Sequence, residues 1–161
     1  MPPFSAPNLA DLVKIIARAQ AEVIIVGRIA MTLRGGSYVT YDFDVCYRRE
    51  PGTIARLCRA LAPHRPHLCC ALSDIQTAPL TEAMSLDTDL GRIDLLGVLA
   101  GIGDYEQVLQ LSQTMTVDDV VVQVLSLDGL IATKEAILRE KDLLHLPMLR
   151  ALKALKDEEE L

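Results

Sequence analysis

From Val39 to Val45 the chain reads Val-Thr-Tyr-Asp-Phe-Asp-Val, two carboxylates one residue apart among apolar neighbours. In an extended strand residues i and i+2 point to the same side, so Asp42 and Asp44 would aim at one spot while Phe43 turns to the opposite face. Fifty residues further on, Gly91-Arg92-Ile93-Asp94-Leu95-Leu96 sets a third carboxylate in a second apolar run, which a neighbouring strand could bring beside the first two. Like charges gathered this way repel one another, and a hard divalent cation relieves the repulsion. Three converging carboxylates are what magnesium or manganese chemistry requires, and the layout is that of a two-metal phosphoryl or nucleotidyl transfer site.

The rest of the chain supplies a small α/β (α+β) framework. Its 161 residues suffice for one domain with a real core, or one with a helical appendage. Half the residues are hydrophobic and 24% are charged, and no apolar run approaches the roughly 18 residues that span a bilayer. Met1-Pro2-Pro3-Phe4-Ser5 lacks a basic stretch followed by an apolar one, so the expectation is a cytoplasmic protein without a secretory signal or membrane partner. Cys46, Cys58, Cys69 and Cys70 fit neither zinc spacing nor a disulfide framework and read as buried or idle thiols.

Charge is segregated along the chain. Between Val45 and His67 five arginines face only Glu50, whereas from Ser73 to Asp128 ten acidic residues face only Arg92. A metal-rich cleft beside a basic rim would show this pattern, and so would two solvated surfaces. The net charge of −6 argues against an extended nucleic-acid-coating face.

Periodicity predicts a helix from an Asn8 cap to about Gln20 and a doubly buried strand at Val23-Ile24-Ile25-Val26. Gly27 should end that strand, a short helix follows from Arg28 to Arg34, and a second strand covers Phe43 to Cys46. A helix from Pro51 to Leu61 breaks at Pro63-His64-Arg65-Pro66. A loop rich in Thr, Ser and Asp leads to a hairpin of 85–88 and 92–95 turning at Asp89-Leu90-Gly91. A short helix at 105–109, a strand at 120–125 and a long helical tail from Asp128 to Lys156 complete the chain, with Asp157-Glu158-Glu159-Glu160 fraying.

Placed in this order, three stretches resemble the nucleotidyltransferase superfamily, and within it the small bacterial AbiEii-type toxins. Val26-Gly27-Arg28-Ile29-Ala30 followed by Thr40-Tyr41-Asp42-Phe43-Asp44 is similar to that family's glycine pair and T/S-x-D-x-D strand. Leu90 to Leu96 is similar to its third-carboxylate strand, and Leu127 to Leu143 to its C-terminal helix pair. The resemblance implies a minimal nucleotidyltransferase fold: a small mixed sheet flanked by helices, with an α/β core over 1–126 and a helical extension over 127–161 packed on it. It further implies metal-dependent transfer of a nucleoside monophosphate from a nucleoside triphosphate to an unidentified acceptor, with RNA, protein and small molecules all open, and an antitoxin partner if the chain is a toxin. Asp42, Asp44 and Asp94 would be the catalytic, metal-holding carboxylates, and Asp94 could take the acceptor's proton. Backbone N–H groups after Gly27 offer a phosphate cradle. Lys134 and Arg139 would reach phosphates, unless they form a solvated basic face with Lys141. Thr40 would donate to phosphate or pack in its strand, and Asp142 would cap the last helix and orient its neighbours.

Two positions depart from the family pattern. Arg28 replaces a second glycine, where it either crowds the approach to phosphate or adds charge to it. His145 stands where relatives carry an acid, and a structural role suits it better. Two other accounts compete. The aspartate-nucleophile phosphatases also use D-x-D, but Gly35-Gly36-Ser37-Tyr38 does not supply the long apolar strand they need. A catalytically weak or inactive nucleotide-binding or protein-interaction module fits Arg28, yet leaves three convergent carboxylates unexplained.

Overall fold

The computed structural model describes residues 6–36, 42–68 and 83–160, with side chains described over 10–36, 43–66 and 83–160. Helix α1 (Ala6–Arg18) buries Leu12, Val13 and Ile16. It begins two residues before the expected Asn8 cap, with Pro7 in the first turn, where its missing N–H costs nothing. Strand β1 (Val23–Val26) is the expected apolar run, with Ile24, Ile25 and Val26 all buried. Helix α2 (Gly27–Leu33) leaves it without a loop, and β2 (Asp42–Tyr47) follows.

Helix α3 (Pro51–Leu61) carries its proline in the first turn and closes in a 3₁₀ turn, Ala62–His64. Strand β3 (His67–Leu68) pairs with β4 (Met84–Thr88), which turns into β5 (Gly91–Leu96). Thr88 holds that turn, its hydroxyl accepting from Leu90 N–H at 3.1 Å and donating to the Gly91 carbonyl at 2.7 Å. Short strands β6 (Val98–Leu99) and β7 (Gly103–Asp104) pair with each other ahead of α4 (Tyr105–Gln110), which Asp104 caps. The chain ends in β8 (Ser112–Val117), β9 (Val120–Leu125), α5 (Leu127–Ile137) and α6 (Glu140–Glu159).

The main sheet runs β3-β4-β5-β2-β1-β9-β8. Strand β1 is central, antiparallel to β2 and parallel to β9, while β2 is parallel to β5, so the sheet is mixed and the fold mixed α/β. Helices α1 and α3 pack together, and α4 lies across β1, β2, β8 and β9. One core joins Phe43 and Val45 of β2, Ile93 and Leu95 of β5, and Leu127, Leu130 and Leu149 of the last two helices.

The C-terminal tail is a helix pair, as the resemblance implied, divided where Leu138 adopts left-handed backbone (φ 54°) and Arg139 is extended. Two other expectations change. Strand β8 was not expected: Ser112-Gln113-Thr114-Met115-Thr116-Val117 is an edge strand without a fully buried residue, so it lacks a clear apolar alternation. The acidic end does not fray, since α6 continues to Glu159. Thr40, Cys69, Cys70 and most of the Thr/Ser/Asp-rich loop lie outside the described residues.

Candidate active site

Strand register builds the site. Asp44 of β2 pairs with Asp94 of β5 across a parallel ladder, and on its other side with Val26 of β1. Register partners on adjacent strands point the same way, so the two carboxylates stand side by side on one sheet face. Two residues earlier Asp42 pairs with Arg92 in the same ladder; its side chain lies outside the described residues. The intervening Phe43, Val45, Ile93 and Leu95 are buried on the opposite face, which fixes the register, since a one-residue slip would send the acids into the core.

Gly27 makes room for Asp44. It immediately follows the register partner of Asp44, has φ +66°, and a Cβ added to it would lie 2.4 Å from Asp44 Oδ2. Only glycine meets both demands, the left-handed backbone and the clearance for the carboxylate. The start of α2 therefore sits directly against the acid.

Like charges in register on neighbouring strands are destabilising. Arg92 offsets part of this: its Nε lies 3.3 Å from Asp94 Oδ1 on a side chain about half exposed, so the pair is weak. Ser85 pairs with Asp94 and Asp87 with Arg92 from the β4 side, continuing the polar face across the hairpin. Sequence reasoning passed over Arg92 and Ser85 as site residues. The i, i+2 spacing of Arg92 and Asp94 would have revealed the first, whereas Ser85 needed the strand register.

A second cluster comes from the C-terminal helices. The Asp142 carboxylate is fully buried and accepts from Lys134 Nζ at 2.9 Å, Arg139 Nε at 2.9 Å and the Arg139 backbone N–H at 3.1 Å. That last bond caps α6, as expected of Asp142. Burial alone would push its carboxyl up, but the hydrogen bonds from Arg139 and Lys134 and the Lys134 charge outweigh it and hold the group well below the usual carboxylate range. Lys134 is nine-tenths buried, so its ammonium does not belong to a solvated basic face, whereas Arg139 remains about half exposed.

Helix α5 packs on α2, and the Arg28 charge reaches His145 of α6. Burial, then the Lys134 and Arg28 charges, lower the His145 imidazole below its ordinary value, with Asp142 partly opposing them. His145 is buried and neutral near pH 7, in keeping with a structural role. Cys46 is likewise buried; burial and the Asp104 charge push its thiol up to about 12 against Arg49, too high for a nucleophile.

Asp44 and Asp94 offer hard oxygen donors of the type magnesium takes. Among the described side chains no group of three metal-ligating residues converges. Also among the described residues, no helix is long and apolar enough to cross a membrane.

No family model matches the chain, and no curated protein matches it. Among solved structures it is similar to a "putative nucleotidyltransferase" from Thermotoga maritima, with a TM-score of 0.57 at 12% identity over 95% of each chain. At that identity the likeness is one of fold alone, and the chain shares the mixed α/β fold of that structure over 95% of its length.

Proposed function

We propose that this protein is a metal-dependent nucleotidyltransferase that moves a nucleoside monophosphate from a nucleoside triphosphate to an acceptor. The observation that carries this reading is the in-register pairing of Asp44 with Asp94 beside the Gly27 step. Asp42, Asp44 and Asp94 would hold Mg²⁺ or Mn²⁺, which when bound neutralises the triphosphate and the developing charge on the leaving group. Asp94, on the strand next to Asp44, would accept the proton of an acceptor hydroxyl. Arg28, with Arg139 exposed at the α5–α6 junction, supplies positive charge for the triphosphate. Lys134 would act through Asp142, to which it is hydrogen-bonded, and Thr40 remains a candidate phosphate donor.

The resemblance of Leu127 to Leu143 to AbiEii-type proteins supports a toxin role with an antitoxin partner, and the acceptor then falls among RNA, protein or small molecules. The competing reading is a nucleotide-binding or protein-interaction module without turnover. Arg28 favours it, since an arginine fills the position after Gly27 where relatives keep the backbone bare.

The test is transfer from α-labelled nucleoside triphosphates, with magnesium or manganese, to RNA, protein and small-molecule acceptors. Labelled product that is lost in Asp44→Asn is the expected result. Nucleotide binding without transfer to any acceptor class would leave the binding module as the answer.

A further inference from the structure

Arg92 is the only basic residue between Ser73 and Asp128, and strand pairing sets it among acids. It stands one pair along from the Asp44–Asp94 step, with Asp42 as its register partner on β2 and Asp87 on β4. Two residues apart on β5, Arg92 and Asp94 point to the same side, and the guanidinium Nε donates to Asp94 Oδ1 at 3.3 Å. Asp87 is exposed like Arg92 and points to that side too, because register partners on neighbouring strands do. One cation is therefore bonded to a carboxylate on its own strand and lies within cross-strand reach of a second.

Asp94 Oδ1 is one of the hard oxygens that the site offers a divalent ion, and a guanidinium bonded to it opposes that ion as a like charge. At a separation of a few ångströms in water and physiological salt, the repulsion amounts to about three- to tenfold in affinity. The contact is also readily given up. It joins two partly exposed groups, the Arg92 side chain being 48% exposed, and such pairs contribute little to stability. Turning the Arg92 side chain disturbs nothing in the core, since Leu86, Ile93 and Leu95 are buried on the opposite face.

We propose that Arg92 is a built-in counter-ion, which competes with a divalent ion for Asp94 and yields by turning to Asp87. The proposal rests on the reading of Asp44 and Asp94 as ion-binding carboxylates, and it adds two positioning residues to them. Arg92 acts through Asp94, and Asp87 acts through Arg92. The acids are thereby balanced before an ion binds, and free ions are held less tightly than the carboxylates alone would hold them.

Mn²⁺ binding to the full chain, read by electron paramagnetic resonance without nucleotide, tests this. Arg92→Gln should bind Mn²⁺ about three- to tenfold more tightly than the wild type. Asp87→Asn should bind about twofold more weakly, and Arg92→Gln combined with Asp87→Asn should bind like Arg92→Gln alone. In the Asp94→Asn background, Arg92→Gln should change the affinity by less than about twofold. Both positions are exposed, so each variant should keep the wild-type far-UV spectrum. Affinity unchanged or lowered in Arg92→Gln, while Asp94→Asn still loses Mn²⁺, overturns the proposal and leaves the carboxylate reading standing. A gain that persists in Asp94→Asn is a long-range effect of charge and overturns it as well. A loss in Asp87→Asn that is undiminished beside Arg92→Gln overturns the turn to Asp87. If neither the wild type nor Arg92→Gln binds Mn²⁺, the carboxylate reading has failed and the proposal falls with it.

Discussion

Gly27 is where backbone conformation and chemistry meet most closely. Replacing it with alanine forces left-handed backbone on a residue with a Cβ, at about 1–2 kcal/mol, and drives that Cβ into the Asp44 carboxylate. Gly27→Ala should therefore lower stability by about 1–3 kcal/mol in urea unfolding and lower nucleotide transfer by more than the stability loss explains. Asp142 is the second pivot. Asp142→Ala strands a nine-tenths buried ammonium on Lys134, and the expected loss is about 3–5 kcal/mol. Both buried titratable groups make the fold acid-sensitive, in different windows. His145 has a folded pKa below its ordinary 6.5, so its contribution is whole above that value and is lost as pH falls through the folded one. Asp142, depressed from 3.8, contributes fully above that value and loses its share only in stronger acid. Thermal midpoints measured from pH 7.5 to 4.5 should fall for the wild type, and the fall should be shallower for His145→Gln.

At the scale of elements, α5 delivers Lys134 to Asp142, and its entry is fixed by Ser126, whose hydroxyl accepts from Gly129 N–H at 3.1 Å. Ser126→Ala should cost about 1 kcal/mol in denaturant unfolding. The elements legible in the sequence were those with a strong period or a strong stop. Val23–Val26 is continuously apolar because β1 is central and buried, and Pro51 and Gly27 mark starts that the structure keeps. Asp44 and Asp94 were legible as residues of one strand face because alternation with buried residues leaves a strand one face for its acids. The register that sets Asp94 against Asp44, rather than one pair along, was not; it depends on which buried residues of β2 and β5 meet in the core. Strand β8 escaped notice because an exposed edge strand needs no apolar face, and the position of the α5–α6 break because it rests on Leu138, a residue that gives no turn signal. The hidden pairing of Lys134 with Asp142 followed from that break, which folds α6 back along α5.

For the whole molecule, the mixed sheet sets Asp44 of β2 beside Asp94 of β5 on one face, and α2, which opens against Asp44, packs on α5. Repulsion among the acids is a cost of folding that a bound divalent ion would remove, so saturating Mn²⁺ should raise the thermal midpoint of the wild type and leave that of Asp44→Asn unchanged. Chelation with EDTA should reverse the gain. The account rests on the three carboxylates acting as one site for such an ion. Calorimetric titration of Mn²⁺, in the presence of a non-hydrolysable nucleoside triphosphate, tests this most directly on the wild type and on Asp42→Asn, Asp44→Asn and Asp94→Asn. The account predicts binding to the wild type and a loss of at least about tenfold in affinity, or about 1.4 kcal/mol, in each of the three variants. Equal binding to the wild type and Asp94→Asn, or no binding to the wild type, would contradict it.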